Sequence, residues 1–257
     1  MNADIKTALE LMKIPGESCH EEVINEHLRG VFRKLGVPAD CMANDRTYHQ
    51  SEYGGKTGNL IIRLDGSGRG ERRMISTHMD TVPGAVGSRP VLKGSRVVNG
   101  ARDKVLGADA RAGCACLIAA ARALMRRRGR HNPWTFVFFV QEELGLVGSR
   151  GLDVRRLGPS RPTMGFNFDG GDANELAHAV IGVERLNIHI TGVAAHASKP
   201  YRGISAALIA AEALGELQRT GWNGVIRQGG REGTANLGIL RGGKGSNVTM
   251  PELYGLA

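Results

Sequence analysis

The chain has 257 residues, of which 41% are hydrophobic and 23% are charged, and its formal net charge is +9. This length and composition allow a substantial buried core and exclude a wholly disordered protein. The basic balance does not by itself indicate nucleic acid, because the densest arginine cluster, residues 126–130, has no interleaved aromatic residues and follows a helical stretch, where cations stabilise the C-terminus.

Two helices are predicted at the start of the chain. Apolar residues recur at helical spacing in residues 4–13 and 20–35, and a turn at Pro15 separates the two runs. Ser18, three residues before Glu21, is typical of a capping box at the start of the second helix.

Strand patterns then alternate with a long helical pattern. Residues 110–125 are rich in alanine and leucine and predict a helix, and residues 135–140 are almost wholly apolar, as expected for a strand buried on both faces. Further short apolar runs predict strands at 59–64, 73–78 and 166–169. This alternation predicts an α/β layer with a largely parallel sheet.

The pattern changes beyond residue 182, where we predict a domain boundary. The elements expected there are a half-exposed strand at 186–191, an amphipathic helix at 204–218, strands at 234–240 and 253–257, and exposed turns at 227–233. They predict a small α+β unit over residues 183–257.

The cysteines and the N-terminus bear on the cellular compartment. The four cysteines suggest no disulfide framework, and Cys114 and Cys116 lie in an apolar helical stretch where we expect both to be buried. The first residues lack a basic-then-apolar signal, and the apolar runs are shorter than the roughly 18 residues that a membrane span needs. We therefore expect a cytoplasmic protein with no membrane partner.

Candidate chemical residues lie where the predicted strands end. His78 closes one strand, and Asp80 follows at a spacing that suits a carboxylate orienting a metal-bound imidazole. Asp109 directly precedes the long helix, where capping of the helix is the alternative to metal binding. Asp169 ends another strand, with a solvated turn aspartate as the alternative.

Glu142 and Glu143 follow the apolar run 135–140 without a break. Two adjacent carboxylates there repel each other unless a cation lies between them or they splay into solvent. One could bind a metal while the other takes a proton from water. Because open α/β sheets place their sites at the C-terminal ends of strands, the whole set predicts a metal centre, whose nitrogen and oxygen ligands suit zinc, manganese or cobalt.

Several ordered segments resemble metallopeptidase family 20, a family of dizinc exopeptidases and deacylases. They are THMDTVP at 77–83, LGAD at 106–109, EELGLVGS at 142–149 and FDG at 168–170, and the second is similar to the peptidase T branch. GVAAHASKP at 192–200 and GSNV at 245–248 resemble parts of that family's lid, or dimerisation, domain. The resemblance implies a zinc-exopeptidase-like α/β domain, here 1–182, with an inserted ferredoxin-like α+β lid, here 183–257.

The resemblance also implies a ligand set for two divalent ions, zinc with manganese or cobalt as alternatives. His78 and Asp169 hold one ion, Asp109 bridges both, and Glu143 binds the second. The family usually has an acid or methionine and then a lysine after the bridging aspartate, whereas this chain has Ala110 and Arg111.

The implied catalytic roles involve four residues. Glu142 is the general base, Asp80 orients His78, His196 polarises the substrate carbonyl, often in the partner subunit's site, and Asn247 helps to bind substrate. The implied reaction is cleavage of an amide bond in a small peptide by a peptidase T-like aminopeptidase or tripeptidase that forms a homodimer through its lid. Two alternatives stay open: a deacylase of N-acyl amino acids, and a catalytically dead protein that binds peptide or metal.

One departure from the family concerns the second metal. The family supplies a final histidine ligand after the lid, and no histidine follows His196 in these 257 residues. We therefore expect the second site to be incomplete and this chain alone to be inactive or poorly folded.

Overall fold

The computed structural model describes residues 2–172, 174–180 and 182–257. The chain divides into two compact units, Met1–Ala173 and Asn174–Ala257. The division falls before residue 182, where we expected a boundary. Both positions lie in a connection between two strands, and no periodic pattern in that connection marks where one unit ends.

The first unit contains four helices and seven strands among its described residues. In chain order these are α1 (Ala3–Leu11), α2 (Glu22–Lys34), β1 (Met42–Asn44), β2 (Leu60–Leu64), β3 (Arg73–His78), β4 (Pro90–Lys93), β5 (Arg96–Asn99), α3 (Ala108–Met125), β6 (Trp134–Phe139), α4 (Val147–Arg150) and β7 (Met164–Asn167). The α/β class is confirmed. β1 and the β4–β5 hairpin are additional to the predicted elements, since each strand has only three or four residues and carries a weak pattern.

The central sheet has the strand order β1-β2-β6-β3-β7. β3 pairs in parallel with both β6 and β7, so the C-terminal ends of these three strands lie at one edge. β1 and β2 complete the sheet with antiparallel pairs. The parallel part of the sheet is what brings the segments after His78, Phe139 and Asn167 to a common edge.

One face of the sheet forms the main core with helices α1 to α3. Phe32 of α2 packs edge-on against Phe136 and Phe138 of β6, with ring centroids 5.7 and 5.8 Å apart. A smaller cluster of Ile61, Val137 and Leu157 lies on the other face. The burial of β6 on both faces explains why its sequence is apolar at consecutive positions.

Helix α3 corrects the expectation for one cysteine. Cys114 is buried in the core, whereas Cys116 is exposed. Two residues of an α-helix are separated by about 200°, which places them on opposite sides of the helix. Within the described part of the chain, no helix is both long and apolar enough to cross a membrane.

The second unit is a small α+β unit, as the pattern predicted. Its described elements are β8 (Asn187–Thr191), α5 (Ala206–Arg219), β9 (Gly224–Gln228), β10 (Arg231–Ala235), β11 (Ile239–Gly242) and β12 (Glu252–Leu256). β11, β12 and β8 form an antiparallel sheet, and α5 packs on it through Ala206, Ala210 and Leu253.

Two expectations in the second unit were wrong. The stretch 227–233 is not all turn, because β9 and β10 pair as a hairpin through it, closing at Gly229 and Gly230, which both have positive φ. The single strand expected at 234–240 is instead the end of β10 and the start of β11. The glycine-rich composition concealed the hairpin, because glycines suggest a turn, and here Gly229 and Gly230 supply the left-handed backbone of the turn between two strands.

Candidate metal centre

His78 is the last residue of β3 and lies at the centre of the site. It is 2% exposed, and its Nδ1 is 3.3 Å from Asp80 Oδ1. Its Nε2 faces three further carboxylates, at 3.0 Å from Asp109, 3.6 Å from Asp169 and 3.9 Å from Glu142. One ring nitrogen is therefore held by a buried carboxylate, and the other points into a cluster of acidic groups.

Asp80 is fully buried and links three segments of the first unit. Ser18 Oγ donates to its Oδ2 at 2.6 Å, and the backbone N–H groups of Glu142 and Glu143 donate to its two oxygens at 3.1 and 3.4 Å. Burial raises the pKa of Asp80, but the hydrogen bonds from His78 and Ser18, the charge of His78 and the Glu142 N–H outweigh it, so the pKa is lowered. The charged carboxylate fixes the orientation of the His78 ring.

Asp109 lies in the first turn of α3 but does not cap it. Gly107 is the N-cap residue and has left-handed φ, and the backbone at Asp109 and Ala110 is not helical. The Asp109 side chain faces His78 instead. Gly113, one turn later, permits a close approach of α3 to the strand ends, because a Cβ there would lie 2.4 Å from the Phe168 carbonyl oxygen.

Glu142 and Glu143 follow β6 and are both half-buried. Burial raises the pKa of each carboxyl, and the negative charges of neighbouring carboxylates raise it further against the opposing effect of His78. At Glu142 this repulsion comes from Asp169, Asp80 and Asp109, and Glu142 itself is the last contributor at Glu143. A cation among these groups would relieve it.

The charge of the cluster also acts on His78 and Asp169. Burial lowers the pKa of His78, but hydrogen bonds and charge from Asp169 and Asp80 outweigh it and raise the pKa to about 11. The same contact with His78 lowers the pKa of Asp169 to about 2. The site thus favours a positive charge at Nε2.

Two overlapping groups of residues could hold metal ions. The donor atoms of His78, Asp109 and Asp169 lie within 4.8 Å of one another, and so do those of His78, Glu142 and Glu143. One imidazole with several carboxylates is a donor set that suits zinc, manganese or cobalt. The residues therefore fit a divalent ion, and their individual roles stay predictions.

His196 and Asn247 belong to the second unit and are neighbours within it. A β-bridge joins His196 to Val248, and the Ala197 N–H donates to the Asn247 carbonyl oxygen at 2.9 Å. The His196 side chain is exposed, with Nδ1 2.8 Å from Ser198 Oγ. Their predicted actions on substrate stay predictions.

Ser18 and Glu21 are site-supporting residues whose role was misread from the sequence. They do not form a capping box, since Glu21 is the N-cap residue of α2 and makes no capping hydrogen bond with its side chain. Ser18 donates to Asp80, and Glu21 accepts from the backbone N–H of Gln141. Their partners lie 62 and 120 residues away in sequence, beyond the reach of local patterns.

Comparisons with known proteins place the chain in a family. A sequence model described as peptidase family M28 matches residues 59–217. The uncharacterized protein YqjE of Bacillus subtilis is 32% identical over 251 residues, which are 97% of this chain and 63% of YqjE.

Two solved structures are also similar to this chain. A tripeptidase from Staphylococcus aureus has 27% identity and a TM-score of 0.72, and aminopeptidase PepT from Bacillus cereus has 29% identity and a TM-score of 0.69. Each match covers 98% of this chain and 64% of the other. The chain therefore spans less than two thirds of the length of these relatives.

Proposed function

Because this chain belongs to peptidase family M28, we propose that it serves metal-dependent hydrolysis of amide bonds in small peptides, as a peptidase T-like aminopeptidase or tripeptidase. The observation that carries the proposal is the convergence of His78 Nε2 with Asp109, Asp169 and Glu142 within 3.9 Å. The names of the two similar crystallised enzymes support small peptides as the substrate class. Within this proposal the chain is similar in character to metallopeptidase family 20, whose fold is related to that of M28.

The proposed cofactor is a pair of divalent ions, zinc with manganese or cobalt as alternatives. His78, Asp109 and Asp169 would hold one ion, while Glu143 and a shared Asp109 would contribute to the other. When bound, such ions polarise an amide carbonyl and lower the pKa of water.

The remaining chemistry is assigned to the chain's own side chains. Glu142 takes a proton from the attacking water and returns it to the leaving amine, and its raised pKa brings it closer to the neutral range in which a general base works well. Asp80 would accept a hydrogen bond from Nδ1 of His78, which leaves Nε2, on the side of the carboxylates, to bind an ion once its proton is displaced. His196 would stabilise the oxyanion, and Asn247 would contact substrate.

The proposal also gives a role to the second unit and a cellular compartment to the protein. Residues 183–257 would act as a lid and as the contact between two copies of the protein, so that a homodimer forms. We propose a cytoplasmic protein with no nucleic-acid or membrane partner.

The test is a metal-reconstitution assay on the protein expressed from its complete reading frame. The protein is stripped with a chelator, reloaded with Zn²⁺, Mn²⁺ or Co²⁺, and given free tripeptides, N-terminally blocked tripeptides and N-acyl amino acids. We expect release of the N-terminal residue from free tripeptides only after reloading. Selective hydrolysis of N-acyl amino acids would identify a deacylase, and metal or peptide binding without hydrolysis of any substrate would overturn the enzymatic proposal.

A further inference from the structure

The segment that carries Glu142 and Glu143 is held by side chains along its whole length. Four successive backbone N–H groups, those of residues 140–143, each donate to a buried side-chain oxygen. The acceptors are Asn59 Oδ1 for residue 140, Glu21 Oε1 for residue 141 and the two oxygens of Asp80 for residues 142 and 143, at distances of 3.1, 3.1, 3.1 and 3.4 Å.

This arrangement follows from the path of the chain after β6. Gln141 is fully buried and has a left-handed φ of 50°, so the segment leaves the sheet at this residue. Its side chain is held on both sides, with Oε1 accepting from Ser51 Oγ and Nε2 donating to the Gly54 carbonyl oxygen at 2.8 Å. Buried backbone N–H groups that leave a sheet need other acceptors.

Glu21 supplies the acceptor at the turning point itself. It is fully buried, and its Oε1 accepts from the N–H groups of both Gln141 and Cys19 at 3.1 Å. Its Oε2 accepts no hydrogen bond from the described residues. Burying a carboxyl group with one unpaired oxygen is unfavourable, so a contribution to folding stability does not explain why Glu21 lies here.

We infer that Glu21 is a positioning residue for the proposed hydrolysis, holding the Gln141 peptide so that the Glu142 and Glu143 carboxylates face His78. The inference rests on the proposed function. Ser18 holds Asp80 from the same segment of chain, so the turn before α2 supports the site at two points. Glu21 acts through the Gln141 peptide and does not itself touch His78 or the proposed ligands.

The test compares two substitutions of Glu21 in the full protein. Glu21→Ala removes the acceptor, and we expect kcat to fall about 10- to 100-fold with KM within about threefold, because displacement of a catalytic group by about 1 Å has effects of this size. Co²⁺ affinity, measured by titration of the metal-free protein, is expected to fall about tenfold or more. Glu21→Gln keeps a carbonyl oxygen that can accept both bonds, so we expect it to recover most of what Glu21→Ala loses.

Two further variants keep the result interpretable. Glu22→Ala, at the next position, is the matched control and is expected to retain wild-type kcat and Co²⁺ affinity. If Glu21→Ala does not fold, Glu21→Asp keeps the charge but withdraws the oxygen by one methylene, and it is expected to lower kcat and Co²⁺ affinity together.

The outcomes separate the inference from the proposed function. Wild-type protein that neither binds Co²⁺ nor hydrolyses tripeptides contradicts the proposed function. Wild-type protein that does both, together with unchanged kcat and Co²⁺ affinity in the folded Glu21→Ala or Glu21→Asp variant, overturns the positioning role. A Glu21→Gln variant as impaired as Glu21→Ala also overturns it, since the acceptor alone would then not suffice.

Discussion

The two sides of the His78 imidazole are built differently. On the Nδ1 side, Asp80 is fully buried and held by a hydroxyl and two backbone N–H groups. On the Nε2 side, the side chains of Asp109 and Asp169 are 64% and 38% exposed. We call His78 and Asp80 the buried pair, and Asp109 and Asp169 the exposed carboxylates.

This difference distinguishes the buried pair, which the fold alone holds in place, from the exposed carboxylates, whose arrangement a bound cation would complete. The buried pair is oriented by contacts within the fold, whereas the exposed carboxylates converge on Nε2 with their solvent side open. Pre-orienting the imidazole and leaving the carboxylates adjustable is a suitable arrangement for capturing an ion.

The largest effect is expected for Glu142→Gln, which leaves both the buried pair and the exposed carboxylates in place. Loss of the general base is expected to lower kcat for tripeptides about 10²- to 10⁴-fold. Zn²⁺ affinity, measured by calorimetry, is expected to stay within about threefold of wild type, since an amide preserves the shape and the backbone contact to Asp80.

Glu143→Gln is the companion to this experiment, because Glu143 is assigned to the metal. It is expected to lower Zn²⁺ affinity as well as turnover. If Glu142→Gln weakens Zn²⁺ binding and Glu143→Gln does not, the two assignments must be exchanged.

Asp80→Asn tests the buried pair. The amide nitrogen cannot accept from Ser18 Oγ or from the Glu143 N–H, so a buried donor loses its partner. We expect the free energy of unfolding of the metal-free protein to fall by about 1–3 kcal/mol. Zn²⁺ affinity is expected to fall about 10- to 100-fold. Asp40→Asn, at an exposed aspartate, is the control and should leave both quantities unchanged.

The pH dependence of the protein's stability distinguishes a proton on His78 Nε2 from a metal ion bound there. In the metal-free protein the pKa of His78 is raised from 6.5 to about 11, so its contribution to stability is fully present below pH 6.5 and is lost as the pH rises towards 11. Glu21, whose burial and proximity to Asp80 raise its pKa from 4.5 to about 7, acts with the same sign, but its effect is complete near pH 7.

When metal is bound, stability should rise with pH, whereas in the metal-free protein it falls. A metal ion must displace the proton from His78, so Zn²⁺ affinity is expected to rise about tenfold per pH unit above neutrality. Thermal unfolding of the metal-free and the metal-loaded protein between about pH 7 and 10 measures how the stability of each changes with pH. In the His78→Gln variant the two forms should show the same pH dependence of stability. If the two forms of the wild type already show the same pH dependence, His78 is not a ligand.

Much of this site follows from the sequence because its residues come directly after apolar strands. The bounds of β3 coincide with the run 73–78, and His78, Asp80, Glu142 and Asp169 all lie at the edge where parallel strands end. Their convergence is a consequence of topology, so strand patterns suffice to predict it.

The supporting contacts could not be predicted in the same way. Ser18 and Glu21 have the spacing of a local capping box, yet both side chains bond to distant segments. Local and tertiary hydrogen bonds compete for the same side chains, and the sequence does not show which one prevails. The β9–β10 hairpin could not be predicted for a different reason, because its strands contain few apolar residues.

The smallest effect is expected for Asp109→Asn in the metal-free protein, and it completes the comparison of the two sides. Asp109 is exposed, and an amide oxygen can still accept from a protonated Nε2, so no buried group loses a partner. The free energy of unfolding should therefore stay within about 0.5 kcal/mol of wild type, while Zn²⁺ affinity falls. Chemical denaturation of stripped protein and calorimetry of Zn²⁺ binding measure these two quantities. If Asp109→Asn destabilised the metal-free fold as much as Asp80→Asn, the exposed carboxylates would be part of the scaffold, and the distinction between a fixed and an ion-completed side would not hold.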